Sequence, residues 1–109
     1  MKLNDLSEKL DLKAQTRIFD REISGVYISD MVSDVIANAK AGNLLVTVQI
    51  HNNVIAAANL VDIAGIVVTQ GKAPAEDVVK MAEKAEITLF TTEMNRWQMA
   101  TQLYEAGIR

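Results

Sequence analysis

The apolar positions along the chain change their period from segment to segment, and each change marks an element. Leu3, Leu6 and Leu10 recur at helical spacing and predict a short amphipathic helix. Asp11 to Phe19 is mixed, with Ala14 to Ile18 the part best suited to a strand. The charged turn Asp20-Arg21-Glu22 leads into Ile23 to Ile28, a predicted strand. Ser29 and Asp30 offer capping oxygens, and Met31, Val32, Val35, Ile36 and Ala39 form a helical stripe closed by Gly42. Leu44 to Val48 is a continuous apolar, partly β-branched run, the signature of a strand buried on both faces. The polar step Gln49-Ile50-His51-Asn52-Asn53 follows, with Asn52 or Asn53 as N-cap of an Ala-rich helix from Val54 to Val61. Gly65 to Val68 returns to a strand, completing a βαβ unit. Pro74 suits a first helical position, and Val78, Val79, Met81, Ala82 and Ala85 supply that helix's apolar face. Ile87 to Phe90 predicts a last strand, and Thr91-Thr92 can cap a final helix on which Met94, Trp97, Ala100, Thr101 and Tyr104 share an expected core face, ended by Gly107.

Four strands that each feed a helix, with almost no alternation in their apolar runs, predict an α/β fold. The expectation is a single domain over residues 1–109, a mainly parallel sheet of about four to five strands with helices on its faces. The helix from Val54 to Val61 is apolar around most of its circumference, its polar positions Asn52, Asn59 and Asp62 lying on one narrow stripe. Such a helix needs cover on more than one side. Val54, Ala57, Ala58 and Val61 are therefore expected to meet either a second copy of the chain, as a homodimer interface, or the N-terminal helix.

Composition narrows the classes. Half of the 109 residues are hydrophobic and about a quarter are charged, a globular balance. No apolar run approaches ~18 residues, so no membrane span is expected, and Met1-Lys2-Leu3-Asn4-Asp5 does not resemble a signal peptide. The chain has no cysteine, which removes disulfides, thiol nucleophiles and zinc–thiolate sites and makes a cytoplasmic location the expectation. A net charge of −3 with scattered Lys and Arg excludes a nucleic-acid groove, which needs clustered positive charge.

In parallel α/β sheets, ligands settle beyond the carboxyl ends of the strands. Here those ends carry Ser29-Asp30, the Gln49 to Asn53 step, Thr69-Gln70-Gly71-Lys72 and Thr91-Thr92-Glu93, each leading to a helix N-terminus. The candidate ligand-binding residues are Gln49, His51, Asn52, Asn53, Thr69 and Gly71. Capping and turn formation account for the same residue types without any ligand. His51, the single histidine, has no nucleophile beside it and no second His or Cys to complete a metal site. Thr69-Gln70-Gly71-Lys72 lacks the P-loop pattern, and no Gly-x-Ser-x-Gly or paired-carboxylate constellation is present. No catalytic residue, metal or cofactor is expected. Gly25, inside a strand, suggests a bulge or a close backbone approach.

The order of these elements and their loops resembles the DRTGG domain family across nearly the whole chain. The similarity rests on Asp20-Arg21-Glu22-Ile23-Ser24-Gly25-Val26, Leu45-Val46-Thr47 running into Asn53-Val54-Ile55-Ala56-Ala57-Ala58, then Ala64-Gly65-Ile66-Val67-Val68-Thr69-Gln70-Gly71 and Pro74. Ile50-His51 stands where the family has its Asp-Arg pair. Thr69-Gln70-Gly71 keeps the threonine and the last glycine of Thr-Gly-Gly. The chain looks like the standalone branch with Gln-x-His-x-Asn in the loop, here Gln49, His51 and Asn53. The resemblance implies a fold like the non-catalytic N-terminal domain of HPr kinase/phosphorylase. It also implies company: similar domains sit beside nucleotide-sensing CBS pairs in pyrophosphatases, in phosphate acetyltransferases and in cobyrinate-synthase-like proteins, and standalone relatives accompany iron-only hydrogenases.

Three roles follow. The first is a non-catalytic regulatory or protein-interaction domain, homodimeric and accessory to an iron-only hydrogenase or a metabolic enzyme. The alternative is a sensor that binds a nucleotide or metabolite at the strand carboxyl ends. The third, a phosphotransferase component, lacks a P-loop to support it.

Overall fold

The structure, a computed structural model, describes residues 1–108. Helix α1 (Leu3–Leu10) precedes β1 (Lys13–Ala14), β2 (Gly25–Ile28), α2 (Val32–Asn38), β3 (Asn43–Thr47), α3 (Asn52–Val61), β4 (Gly65–Val68), α4 (Glu76–Lys84), β5 (Thr88–Thr91) and α5 (Arg96–Glu105). The sheet order is β1-β5-β4-β3-β2. Strands β2 to β5 are parallel and adjacent in chain order, while β1 runs antiparallel on the β5 edge. The expected mainly parallel α/β architecture is therefore the one found.

Two cores lie on the two faces of this sheet, because successive strand side chains point opposite ways. Leu45, Ile66, Val68 and Leu89 pack under α2, α3 and α4 with Val35, Ile55, Ala58, Val78 and Ala82. Leu44, Val46, Val67 and Phe90 pack under α1 and α5 with Leu3, Leu6, Met99 and Leu103. Every residue of β3 and β4 is buried, which is why those runs carry no polar alternation.

Several expectations change in detail. The strand expected within Ala14 to Ile18 shrinks to Lys13–Ala14, which pair with Thr91 and Phe90. Beyond it the chain must travel from one sheet edge to the other, so residues 15–24 cross the amino ends of the strands. That crossing is pinned at each step: the Arg17 and Phe19 amides donate to Glu83 Oε2 (3.0 Å) and Thr88 Oγ1 (2.8 Å), and Arg21 Nη1 donates to Asp62 Oδ1 (3.0 Å). Helix α3 begins one residue after His51, whose side chain makes no cap bond. The last helix is capped by Asn95 rather than by Thr91 or Thr92. Asn95 Oδ1 accepts from the Gln98 amide (2.8 Å), while Gln98 Oε1 accepts from the Asn95 amide (2.9 Å), a reciprocal capping box.

The cover for α3 comes from the chain itself. Helix α3 is the middle of three helices on one face, in contact with both α2 and α4. Val54, Ala57 and Ala58 are buried and Val61 is partly buried in that core. Where the sequence led us to expect a second copy or the N-terminal helix, α2 and α4 of the same chain pack beside these residues. The expected core face of α5 is corrected. Met99 and Leu103 face the sheet, while Trp97 and Tyr104 are exposed.

Candidate functional site

The four parallel strands end in register, Ile28 beside Val46 and Thr47 beside Val68 beside Thr91. All four following loops therefore leave from one edge, as the sequence led us to expect. What the side chains on that edge do is largely structural. Thr69 is fully buried, its amide donating to the Thr47 carbonyl (3.0 Å) and its hydroxyl reaching the same oxygen (3.4 Å). Gln49 Nε2 donates to the Asp30 carbonyl (2.8 Å), and the Gln49 amide donates to Thr47 Oγ1 (3.1 Å). His51, Asn52 and Asn53 are exposed at the start of α3.

Asp30 organises the β2–β3 half of this edge, a role wider than the helix cap read from the sequence. Its Oδ1 accepts from Thr47 Oγ1 (3.0 Å) and the Val48 amide (2.9 Å), and its Oδ2 is ion-paired with Arg96 at the start of α5. No sequence pattern links residues so far apart. Beside it, Asp34 on α2 is held below the ordinary carboxylate range by hydrogen bonds from Ser29, Asn38 and Tyr27. The Tyr27 hydroxyl, 2.9 Å from both Asp34 oxygens, is correspondingly raised. A proton on Asp34 would break this set, which is why the ionised form is favoured.

Helices α2, α3 and α4 lie on one face of the sheet and α5 on the other. The loops after β4 and β5 thus diverge to opposite faces, the arrangement that opens a crevice between neighbouring strands. Here the backbone closes that gap. The Gln70 amide donates to the Met94 carbonyl (2.8 Å) and the Gly71 amide to the Thr92 carbonyl (3.0 Å), so pairing runs on past the sheet. Gln70 and Gly71 both adopt positive φ (63° and 67°) to make this turn. A Cβ at Gly71 would also collide with the Glu93 carboxylate.

The open space lies one step outward, between the β4–α4 and β5–α5 loops and the end of α1. It is a cavity of about 550 Å³. Leu10, Asp11, Lys13 and Gln15 line it from the α1–β1 side, and Gly71, Lys72, Thr92, Glu93 and Met94 from the loops. Gln15 Nε2 donates to Thr91 Oγ1 (3.0 Å), fixing the amide at the cavity wall. Neither Lys13 nor Lys72 has an ion-pair partner among the described residues. Of the six expected ligand residues, only Gly71 lines this cavity. Gln49, His51, Asn52 and Asn53 belong to the β3–α3 loop, and Thr69 is interior. The sequence reading missed Leu10 to Gln15 because β1 is too short and too polar to announce itself beside β5. Among the described residues no helix is long and apolar enough to cross a membrane, and no group of three His, Asp or Glu side chains is placed to hold a metal.

Comparison with known proteins places this geometry. The DRTGG domain model matches residues 12–106. A similar solved structure is the CBS and DRTGG region of the Clostridium perfringens pyrophosphatase, described as regulatory and complexed with the activator diadenosine tetraphosphate. It has a TM-score of 0.72 and 17% identity over 93% of this chain. The match covers 45% of that chain, so this protein spans under half its length. No curated protein matches the sequence significantly.

Proposed function

Because the chain belongs to the DRTGG domain family, we propose that it is a non-catalytic regulatory domain that binds a charged small molecule, a nucleotide or metabolite, at the carboxyl edge of its sheet. The observation that carries this reading is the cavity of about 550 Å³ between α1, β1 and the two diverging loops. A volume of that order suits a drug- or nucleotide-sized ligand. Leu10 and Met94 give its lining an aliphatic part, while Lys13 and Lys72, with Asp11 and Glu93, give it charges of both signs. The nucleotide activator bound by the pyrophosphatase regulatory region supports the ligand class.

The non-catalytic reading has its own support. Asp30, Thr47, Gln49 and Thr69, the polar groups nearest the strand ends, bond to one another, to backbone and to Arg96. A general acid or base needs a lone pair or proton directed at substrate, and these are directed inward. The effect of the ligand passes to a partner enzyme, and the family resemblance makes a metabolic enzyme or an iron-only hydrogenase the partner class.

Calorimetric titration with a panel of nucleotides and charged metabolites tests the reading. At least one should bind and raise the unfolding midpoint, with Lys13→Glu and Lys72→Glu each weakening it tenfold or more. A panel without binding, or binding indifferent to both substitutions, overturns it.

A further inference from the structure

The cavity beside β1 is lined by four charged side chains, two of each sign, and they do not neutralise one another. Asp11 and Lys13 on the α1–β1 side, and Lys72 and Glu93 on the facing loops, make no side-chain hydrogen bond or ion pair among the described residues. Asp11 ends α1 in the left-handed conformation (φ 53°), so Lys13 follows it onto the β5 edge. The Glu93 carboxylate rests against Gly71, in space that is open only because residue 71 has no Cβ. Gln15 Nε2 donates to Thr91 Oγ1 (3.0 Å), which leaves Oε1 as a further acceptor on the lining.

The backbone of the two loops is the reverse of a phosphate cradle. Polyphosphates are held by free N–H groups of a loop and of the helix that follows it. Here the consecutive amides of Gln70, Gly71 and Lys72 donate to the carbonyls of Met94 (2.8 Å), Thr92 (3.0 Å) and Thr69 (3.3 Å). On the other loop the Met94 amide donates to Thr92 Oγ1 (3.3 Å), and the Asn95 and Gln98 amides are taken by their reciprocal capping box. A polyanion would gain Lys13 and Lys72 but lie against Asp11 and Glu93, with these amides already committed. An added ammonium group turns the two carboxylates from repulsive neighbours into charge-assisted acceptors.

We propose that the ligand of this cavity is a zwitterion, a metabolite with a protonated amine beside one carboxylate or one phosphate, and that Glu93 is the residue that selects the amine. The proposal rests on the cavity being the ligand site and narrows the class of molecule it takes. Lys72 receives the anionic group. Glu93 sits against the residue that precedes Lys72, so the turn at Gly71 holds an ammonium and a carboxylate at one end of the cavity without pairing them. That is the charge arrangement a zwitterion reverses.

Calorimetric titration with probes that differ only in the amine tests it: L-glutamate against glutarate, phosphoethanolamine against ethyl phosphate, and S-adenosylhomocysteine against its deaminated analogue, with ATP as the polyanion. In at least one pair the amine-bearing member should bind about tenfold tighter than its partner, and tighter than ATP. Glu93→Gln should abolish that preference by weakening only the amine-bearing member, whereas Lys72→Gln should weaken both members. Neither substitution should move the unfolding midpoint, because neither side chain bonds within the fold. Amine-free probes or ATP binding at least as tightly as every amine-bearing probe overturns the zwitterion and leaves the cavity a ligand site. A preference that survives Glu93→Gln overturns the role of Glu93. Binding by none of the probes and none of the wider panel overturns the proposal together with the reading beneath it.

Discussion

The Arg21 guanidinium forks onto the Asp62 carboxylate, Nη1 to Oδ1 at 3.0 Å and Nη2 to Oδ2 at 3.3 Å, while Nη1 also donates to the Ile63 carbonyl at 3.1 Å. Asp62 ends α3 in the left-handed conformation, φ 67°. The contact therefore fastens the chain segment that crosses the amino edge of the sheet to the turn that starts β4. It lies at the opposite end of the strands from the cavity beside β1. The Asp20-Arg21-Glu22 turn, read from the sequence as a charged entry to a strand, is thus also a clamp.

Arg21→Ala should cost about 1 kcal/mol, at the upper end for an ion pair that is partly exposed, because a carbonyl partner is lost as well. For a domain of this size that lowers the unfolding midpoint by roughly 4–8 °C. Ligand affinity should be unchanged, which calorimetric titration of the variant would check.

Burial at Phe90 and exposure at Leu60 make an internal control. Phe90 is fully buried among Leu44, Val67 and Met99, whereas Leu60 is 72% exposed. Phe90→Ala should remove about 3–5 kcal/mol, enough to threaten folding in a small domain. Leu60→Ala should stay within about 0.5 kcal/mol of wild type. Urea unfolding of the two variants measures both.

Asp30 joins β2, β3 and α5 through a single carboxylate. Asp30→Ala frees the Val48 amide and the Arg96 guanidinium together, and should cost about 1–2 kcal/mol. Its local signature is faster hydrogen exchange at Val48, with exchange at the Ile66 and Val67 amides of β4 altered only as far as global stability falls.

Acid should release the Asp34 cluster. Ser29, Asn38 and Tyr27 lower the Asp34 carboxyl in the folded chain, and unfolding returns it to the ordinary value. As pH falls, the unfolded state therefore takes up the proton first. The contribution is complete above the ordinary carboxylate range and disappears as pH drops through the depressed folded value. Glu83, lowered by hydrogen bonds from the Arg17 side chain and amide, adds a second contribution of the same sign. In Asp34→Asn the urea midpoint should fall less steeply between about pH 5 and 2 than in wild type, with the Glu83 share remaining.

Much of this was legible in the chain. Leu44 to Thr47 and Gly65 to Val68 are uninterrupted apolar runs because both strands are buried on both faces, and no other common environment demands that composition. The helices between them showed by period, and chain order with short connections restricted the topology to neighbouring parallel strands. The sequence thus determined the four parallel strands, the helices between them, and that their loops share one edge.

Which helix faces are finally covered was settled only in three dimensions. Val54, Ala57 and Ala58 needed cover, but whether α2 and α4 or another molecule supplied it depends on how far apart neighbouring helices pack on a sheet. Trp97 and Met99 are both apolar and two residues apart on α5. Only the docking angle of that helix buries one and exposes the other. The cavity is of the same kind. It exists because a two-residue strand returns antiparallel to the β5 edge and brings Lys13 to the same cavity as Lys72, a meeting of distant segments that a local pattern does not encode. Periodicity records each residue's own demand for burial, and tertiary packing alone decides what meets it.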